Sequence, residues 1–283
     1  MAGFGSPPPV TFKRLTPPPM PLPHIDLLYS LSGLFVGFLV GLTGVGGGSL
    51  MTPILVLLFN VHPATAVGTD LLYAAVTKAT GTFVHGLKGT VDWRITARLA
   101  AGSVPAATAT LWILHTHGLH AQSTGRMIEC VLGAALLLTA LSLLFRPQLA
   151  ALAARHARAL PPSPARTLVA TVVTGIVLGV LVSLTSVGAG AIGVTVLLLL
   201  YPALTTTRIV GSDIAHAVPL TLVAGIGHWL LGSVDWSMLA SLLLGSLPGI
   251  VAGSHLSARA PESLLRPVLA ATLVAVGAKL VLA

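Results

Sequence analysis

Between Leu168 and Leu184 the chain runs without one ionisable side chain, and Val131–Phe145 and Met238–Gly253 do the same. Leu71–Val84 with its flanks, Ile95–Leu114 and Leu264–Leu282 are nearly as apolar. About 18–20 apolar residues let an α-helix cross the hydrocarbon core of a bilayer. Inside lipid every backbone group must be bonded within the protein, which leaves helices or closed barrels. Runs this long and continuous belong to helices. Only 8% of residues are charged and the mean hydropathy is +0.94, against roughly 25% charged in soluble domains. The expectation is an all-α polytopic membrane protein with the lipid bilayer as its main partner.

The second constraint is duplication. "GLFVGFLVGLTGVGGG" (33–48) lies over "GIVLGVLVSLTSVGAG" (175–190) at an offset of 142 residues. One residue later in register, "GTDLLYA" (68–74) matches "GSDIAHA" (211–217), His85 matches His228, "GTVDW" (89–93) matches "GSVDW" (232–236), and "GSVP" (102–105) matches "GSLP" (245–248). Glycine and polar positions coincide too often for shared apolarity to account for them. Each half reads as a broken, re-entrant segment followed by three transmembrane helices: 27–59, 64–87, 93–115 and 124–145, then 167–201, 206–231, 236–256 and 263–282.

The organisation follows. Residues 1–26 form a proline-rich tail read as disordered and cytoplasmic, 27–145 the first repeat, 146–166 a basic cytoplasmic linker and 167–283 the second repeat. Fifteen Lys/Arg against seven Asp/Glu give +8. In a soluble chain that excess would point to nucleic acid; here it serves orientation by the positive-inside rule, and no nucleic-acid partner is expected. Lys13 and Arg14 place the N-terminus inside, and the arginines of the linker are inside too. The first half then crosses an even number of times. Eight crossings, with repeats related by an axis along the membrane normal, satisfy this. Counting each broken segment as two crossings gives ten and inverts the repeats. Cys130 stands alone and excludes an intramolecular disulfide framework.

The breaks carry the chemistry. Leu27–Asn60 as one helix would measure about 50 Å, well beyond a core of about 30 Å. Glycines at 44 and 46–48 disfavour helix there. Freed amides must face protein or a polar cavity, and a glycine-rich loop opening a helix presents N–H groups to an anion. The candidate binding residues are Thr43, Gly44, Val45, Gly46, Gly47, Gly48 and Ser49 in the first copy. In the second they are Thr185, Ser186, Val187, Gly188, Ala189, Gly190 and Ala191. Upstream, Gly33, Gly37 and Gly41, with Gly175, Gly179 and Ser183, have the small-residue spacing of close helix packing.

Four of the seven acids form repeat pairs. Asp92 and Asp235, each just before a tryptophan, read as helix N-caps at the interface. Asp70 and Asp213 lie inside apolar segments, where an ionisable group is functional by default; they are candidates for proton coupling. Lys78, with Thr221 opposite it, is either a counter-charge for an anion or an ion-pair partner of Asp70. Arg208 reads as interfacial, and His85 and His228 as satisfied helix-end histidines. "HTHGLH" (115–120) has metal-like spacing but no repeat partner, so no metal and no cofactor is expected. No Walker motif occurs, and Ser212 with His216 forms no hydrolase signature, so the chain is not read as an enzyme.

"GLTGVGGGSLMTP", "GTDL", "GTVDW" and their degenerate copies resemble the sulfite exporter TauE/SafE family of membrane transporters over nearly the whole chain from Leu27. The resemblance implies a secondary transporter for small sulfur-containing anions (sulfite, sulfoacetate or related organosulfonates), exporting them across the plasma (inner) membrane. The mechanism expected is alternating access, with Asp70 and Asp213 carrying or gating a proton. A passive anion channel, and a cation or metal transporter using Asp70, Asp213 and His216, are the alternatives. The oligomeric state stays open, with a homodimer as one arrangement. Unlike the first copy, the second reads "TSVGAG" at the break, which questions an equal contribution of the halves.

Overall fold

A computed structural model describes residues 25–43, 48–117, 122–159, 163–257 and 262–282. Among them the chain forms helices and no strand. The first half holds α1 (Leu27–Thr43), α2 (Gly48–Leu57), α3 (Pro63–Leu87), α4 (Trp93–His117) and α5 (Gln122–Ala159). The second holds α6 (Pro164–Thr185), α7 (Ile192–Leu200), α8 (Thr206–Leu230), α9 (Trp236–Ser257) and α10 (Glu262–Leu282). Four stretches combine the length and hydropathy of a membrane span: Gly125–Leu149, Pro164–Thr185, Thr206–Leu230 and Trp236–Gly253. Leu168, Val169, Ile176, Val177 and Leu244 stand exposed on their outer faces, as lipid-facing side chains must. The chain is an integral membrane protein.

Helix ends fall where capping chemistry puts them. Asp92 accepts from the amides of Arg94 (3.1 Å) and Ile95 (3.4 Å) at the start of α4, and Asp235 accepts from Met238 (2.9 Å) at the start of α9. Both expected N-caps are present. One boundary differs from expectation. The segment after Phe145 continues as helix to Ala159 through Pro147, because "QLAALAARHARA" is rich in strong helix formers. Most of the basic linker is therefore the end of α5, which at about 57 Å runs past a bilayer core of about 30 Å.

The halves pack by exchanging helices. On α1, Gly33 lies against the backbone of Leu242 and Gly37 against that of Ser246, both on α9. On α6, Gly175 lies against Leu99 and Gly179 against Ser103, both on α4. A Cβ at any of these four glycines would collide with a backbone carbonyl; the small-residue stripes are packing seams. Gly41 has no side-chain description. The same reciprocity holds for hydrogen bonds: the Asp92 amide donates to Ser212 Oγ (2.8 Å) and the Asp235 amide to Thr69 Oγ1 (3.0 Å).

The direction of packing bears on the repeat axis. Residue numbers rise together along α1 and α9, and along α4 and α6. Those pairs are parallel. Between α3 and α8 they run opposite ways, with Leu72 beside Gly225, Gly81 beside Ile214 and His85 beside Gly211. Between α5 and α10, Gly133 meets Leu280 and Val281 while Leu137 meets Gly277. Sequence counterparts that face each other antiparallel are not related by an axis along the helices. This is at odds with the parallel repeats that the loop charges favoured.

Candidate functional site

The second break is fully described. α6 ends at Thr185, and Ser186 closes it in the left-handed region (φ 59°). Gly188 (φ 125°) and Gly190 (φ 119°) then turn the chain into α7, conformations that residues with a Cβ rarely adopt. Of the second-copy residues named from sequence, Thr185, Ser186, Val187, Gly188, Ala189 and Ala191 are buried. In the first copy α1 ends at Thr43 and α2 opens at Gly48. Gly44–Gly47 lie outside the described residues, as do the side chains of Thr43 and Ser49.

The loop spends part of its hydrogen-bonding capacity on itself. The Val187 amide donates to Thr185 Oγ1 (3.1 Å), and that hydroxyl donates to the Leu181 carbonyl (2.6 Å). The Ala191 carbonyl accepts from the Thr195 amide and hydroxyl within α7. The Thr185 hydroxyl and the Val187 amide, expected from sequence as ligand donors, are thus engaged in holding the break. Ser186, Ala189 and Gly190 point elsewhere. The Ser186 hydroxyl is directed at Asp70 and the Gly190 amide at Asp213. The Ala189 carbonyl lies 3.5 Å from Lys78 Nζ.

Asp70, Asp213 and Lys78 therefore converge on the second break. Both carboxylates are fully buried, and Lys78 is nearly so. Thr52 Oγ1 donates to Asp70 Oδ2 (2.5 Å), tying α2 to α3. Neither Asp213 oxygen completes a hydrogen bond, nor does Asp70 Oδ1. The ammonium of Lys78 stands in the field of both carboxylates, Asp213 foremost. Ion pairs within 4.0 Å among the described residues are Arg126–Glu129 and Arg208–Asp92, so Lys78 is shared and not paired with Asp70. Arg208 is half-exposed and pairs with Asp92.

Two polar pairs flank this centre. His216 Nε2 lies 2.8 Å from Ser103 Oγ, on α8 and α4, and the Tyr73 hydroxyl on α3 faces Ser246 on α9 without completing a hydrogen bond. These occupy matching positions in the two halves. Sequence reading paired His216 with Ser212, but Ser212 is engaged by Asp92 and by the Arg208 carbonyl. It missed Thr52 and Tyr73; the available signal was that Tyr73 and His216 each follow the repeat aspartate by three residues, on the same helix face. His85 is engaged by Thr90 Oγ1 (2.8 Å) as expected, while His228 bonds the Ser183 carbonyl through Nε2 (2.9 Å) and its buried Nδ1 completes no hydrogen bond.

Apolar helices exchanged between two halves, around buried charges at a helix break, define the class: a polytopic helical membrane transporter. The chain belongs to the sulfite exporter TauE/SafE family, whose model matches residues 29–280. It is 40% identical over 252 residues to "Probable membrane transporter protein YjnA" of Bacillus subtilis (strain 168), covering 89% of this chain and 98% of that relative. Similarity extends to "Probable membrane transporter protein YdhB" of the same organism, 27% identical over 244 residues, 85% of this chain and 94% of the relative. A "Probable membrane transporter protein" of Xylella fastidiosa (strain Temecula1 / ATCC 700964) is 24% identical over 233 residues, 82% and 85% of the two chains. No solved structure matches the chain.

Proposed function

We propose that this chain is a secondary transporter of small sulfur-containing anions, sulfite or an organosulfonate such as sulfoacetate, working by alternating access between its two halves. The observation that carries the reading is Lys78, a buried ammonium at the glycine break with Asp70 and Asp213 facing it. A charge buried in apolar surroundings is retained where it meets an ion. Lys78 supplies the counter-charge, the break supplies backbone donors, and a buried carboxylate carries the proton. Export is the direction that the family's description names. The test is flux of sulfite and of a small organosulfonate into proteoliposomes, with and without a pH gradient. Flux should rise with the gradient, and that rise should be lost in Asp213→Asn. Flux indifferent to the gradient would favour a passive channel, and competition by metal ions a cation carrier.

We infer further that each half makes five passes, so that the repeats are inverted and the bundle has ten. α1 runs parallel to α9, and α9 runs with α3, since the Asp235 amide meets Thr69 and Ser246 lies toward Tyr73, so α1 and α3 point the same way. Residues 58–62 reach at most about 18 Å, too short to bring the chain back across, so α2 must make the return. The start of α1 and the end of α5 then lie on opposite sides. Lys88, Arg94, Arg208 and the arginines of 146–166 gather on the α5 side. The positive-inside rule makes that side cytoplasmic and puts the N-terminus outside, the reverse of what Lys13 and Arg14 suggested. In a Cys130→Ser background, an impermeant maleimide added to intact cells should label Ile25→Cys and spare Lys88→Cys. The opposite pattern would return the N-terminus to the cytoplasm.

A further inference from the structure

Resting on the anion-transport reading, a more specific assignment follows from where Asp213 sits. Its carboxylate lies at the first turn of α7, against Gly193, where a Cβ would collide with Oδ1. The Gly190 amide faces the same carboxylate from the loop. The side chain is fully buried, and neither oxygen completes a hydrogen bond. An anion at a helix N-terminus, with the nearest ammonium being Lys78, is the arrangement in which helices hold phosphate, sulfate and carboxylate ligands. Here the protein's own side chain occupies it.

We propose that Asp213 is a tethered competitor for the substrate's seat: a small oxyanion binds at the break beside α7 only when the Asp213 carboxylate has taken a proton and given up that position. Two anions cannot share the same amide, the same helix end and the same lysine in a water-poor interior, where like charges repel strongly. Binding one monovalent anion therefore requires one proton, and the coupling is a matter of mutual exclusion. Substrate and proton enter together because the site's own anion must be neutralised first.

The charged and titratable groups around Asp213 leave this role to it. Lys78 on α3 and Arg146 on α5 are the cations that bear on it. Asp70, also on α3, is held at Oδ2 by Thr52 and faces Ser186. His216, one turn along α8, has Nε2 engaged by Ser103 on α4. Gly193 has the complementary part: any side chain there would fill the space that carboxylate or substrate oxygen uses.

The experiment is methanesulfonate binding to the purified full-length protein, read by thermal shift and calorimetry from pH 5 to 8, with sulfite as the second probe. Methanesulfonate stays ionised throughout, so its own titration does not enter. Wild type should bind about tenfold more weakly for each pH unit once Asp213 is ionised. Asp213→Asn should bind at every pH with the affinity that wild type shows at low pH, and Asp70→Asn should keep the wild-type slope. The thermal scans report whether each variant is folded. An Asp213→Asn protein that is folded and retains the slope, or loses binding altogether, overturns the proposal. A slope abolished by Asp70→Asn instead would hand the role to the other carboxylate. If neither probe binds wild type or either variant at any pH, the anion reading itself falls, and this assignment with it.

Discussion

Asp70 and Asp213 hold matching places in the two halves, yet the structure treats them differently. Asp70 is anchored: Thr52 on α2 donates to it, and Ser186 from the opposite half faces it. Asp213 rests against a bare glycine turn and completes no hydrogen bond. Among the described residues the buried lysine belongs to the first half, and Thr221 stands at its counterpart. The scaffold around them does the reverse, with seams and cross-half hydrogen bonds repeated contact for contact. The matching seams and cross-half bonds hold the two halves alike, while the buried positions around the two carboxylates offer them different bonds.

The sharpest way to break that asymmetry is to erase it. Lys78→Thr gives the first half the residue of the second and removes the ammonium that both carboxylates share. Losing one partner of a buried charge constellation costs about 2–5 kcal/mol, so anion flux should fall by about hundredfold, measured in proteoliposomes against wild type at equal protein. A smaller loss, within about threefold, would mean that the lysine neutralises the aspartates without meeting the substrate.

The symmetric frame should respond symmetrically. Gly33→Val and Gly175→Val each drive a side chain into the carbonyl of Leu242 or Leu99. Overpacking of this kind costs about 1–3 kcal/mol, occasionally more, so both variants should unfold at clearly lower temperature in detergent, by similar amounts. Gly86→Ala, which meets open space, should leave the transition where it is. A large difference between the two valine variants would show that one seam carries more of the assembly than the other.

How much of this could be read from the sequence follows the same division. Helices, breaks, capping aspartates and glycine seams were legible because each is written in local pattern: apolar length, φ-permissive glycine, Asp before Trp, small residues four apart. Asp70, Asp213 and Lys78 were legible because a charge in an apolar run needs a reason. Their convergence on the second loop was not, since it depends on α3 and α8 facing each other across the halves. Loop charges favoured an axis along the membrane normal, because the lysine and arginine of the N-terminal tail weighed as heavily as the arginines of 146–166, and the antiparallel facing of α3 and α8 does not fit it. Thr185 and Val187 looked like free donors, and only the folded loop shows them bonded to each other.

Anchoring of Asp70 has its own measure. Thr52→Val keeps the shape of the side chain and removes the donor to a buried carboxylate. Hydrogen bonds to charged groups contribute about 1.5–3 kcal/mol, so the variant should lose about 2 kcal/mol in equilibrium unfolding. Thr195→Val on α7, whose hydroxyl returns only to the Ala191 carbonyl, should lose less than half of that. Equal losses would remove the distinction between an anchored and a free carboxylate.

The smallest effect tests the frame most closely. It is Ser212→Ala set against Thr69→Ala. Each leaves one backbone amide, of Asp92 or of Asp235, without its cross-half acceptor. Both amides sit at helix starts in part-buried surroundings, where a neutral hydrogen bond contributes about 1 kcal/mol. The two single variants should therefore agree within about 0.5 kcal/mol. The Thr69→Ala variant also loses a methyl, which raises its cost slightly above the other. The double variant should come out additive, because the bonds join different helix pairs and share no partner. A cost at Ser212 well above that at Thr69 would show that the extra contact of the Asp92 carboxylate with Arg208 (3.4 Å) depends on the same helix start, and that the frame, like the site, has begun to diverge.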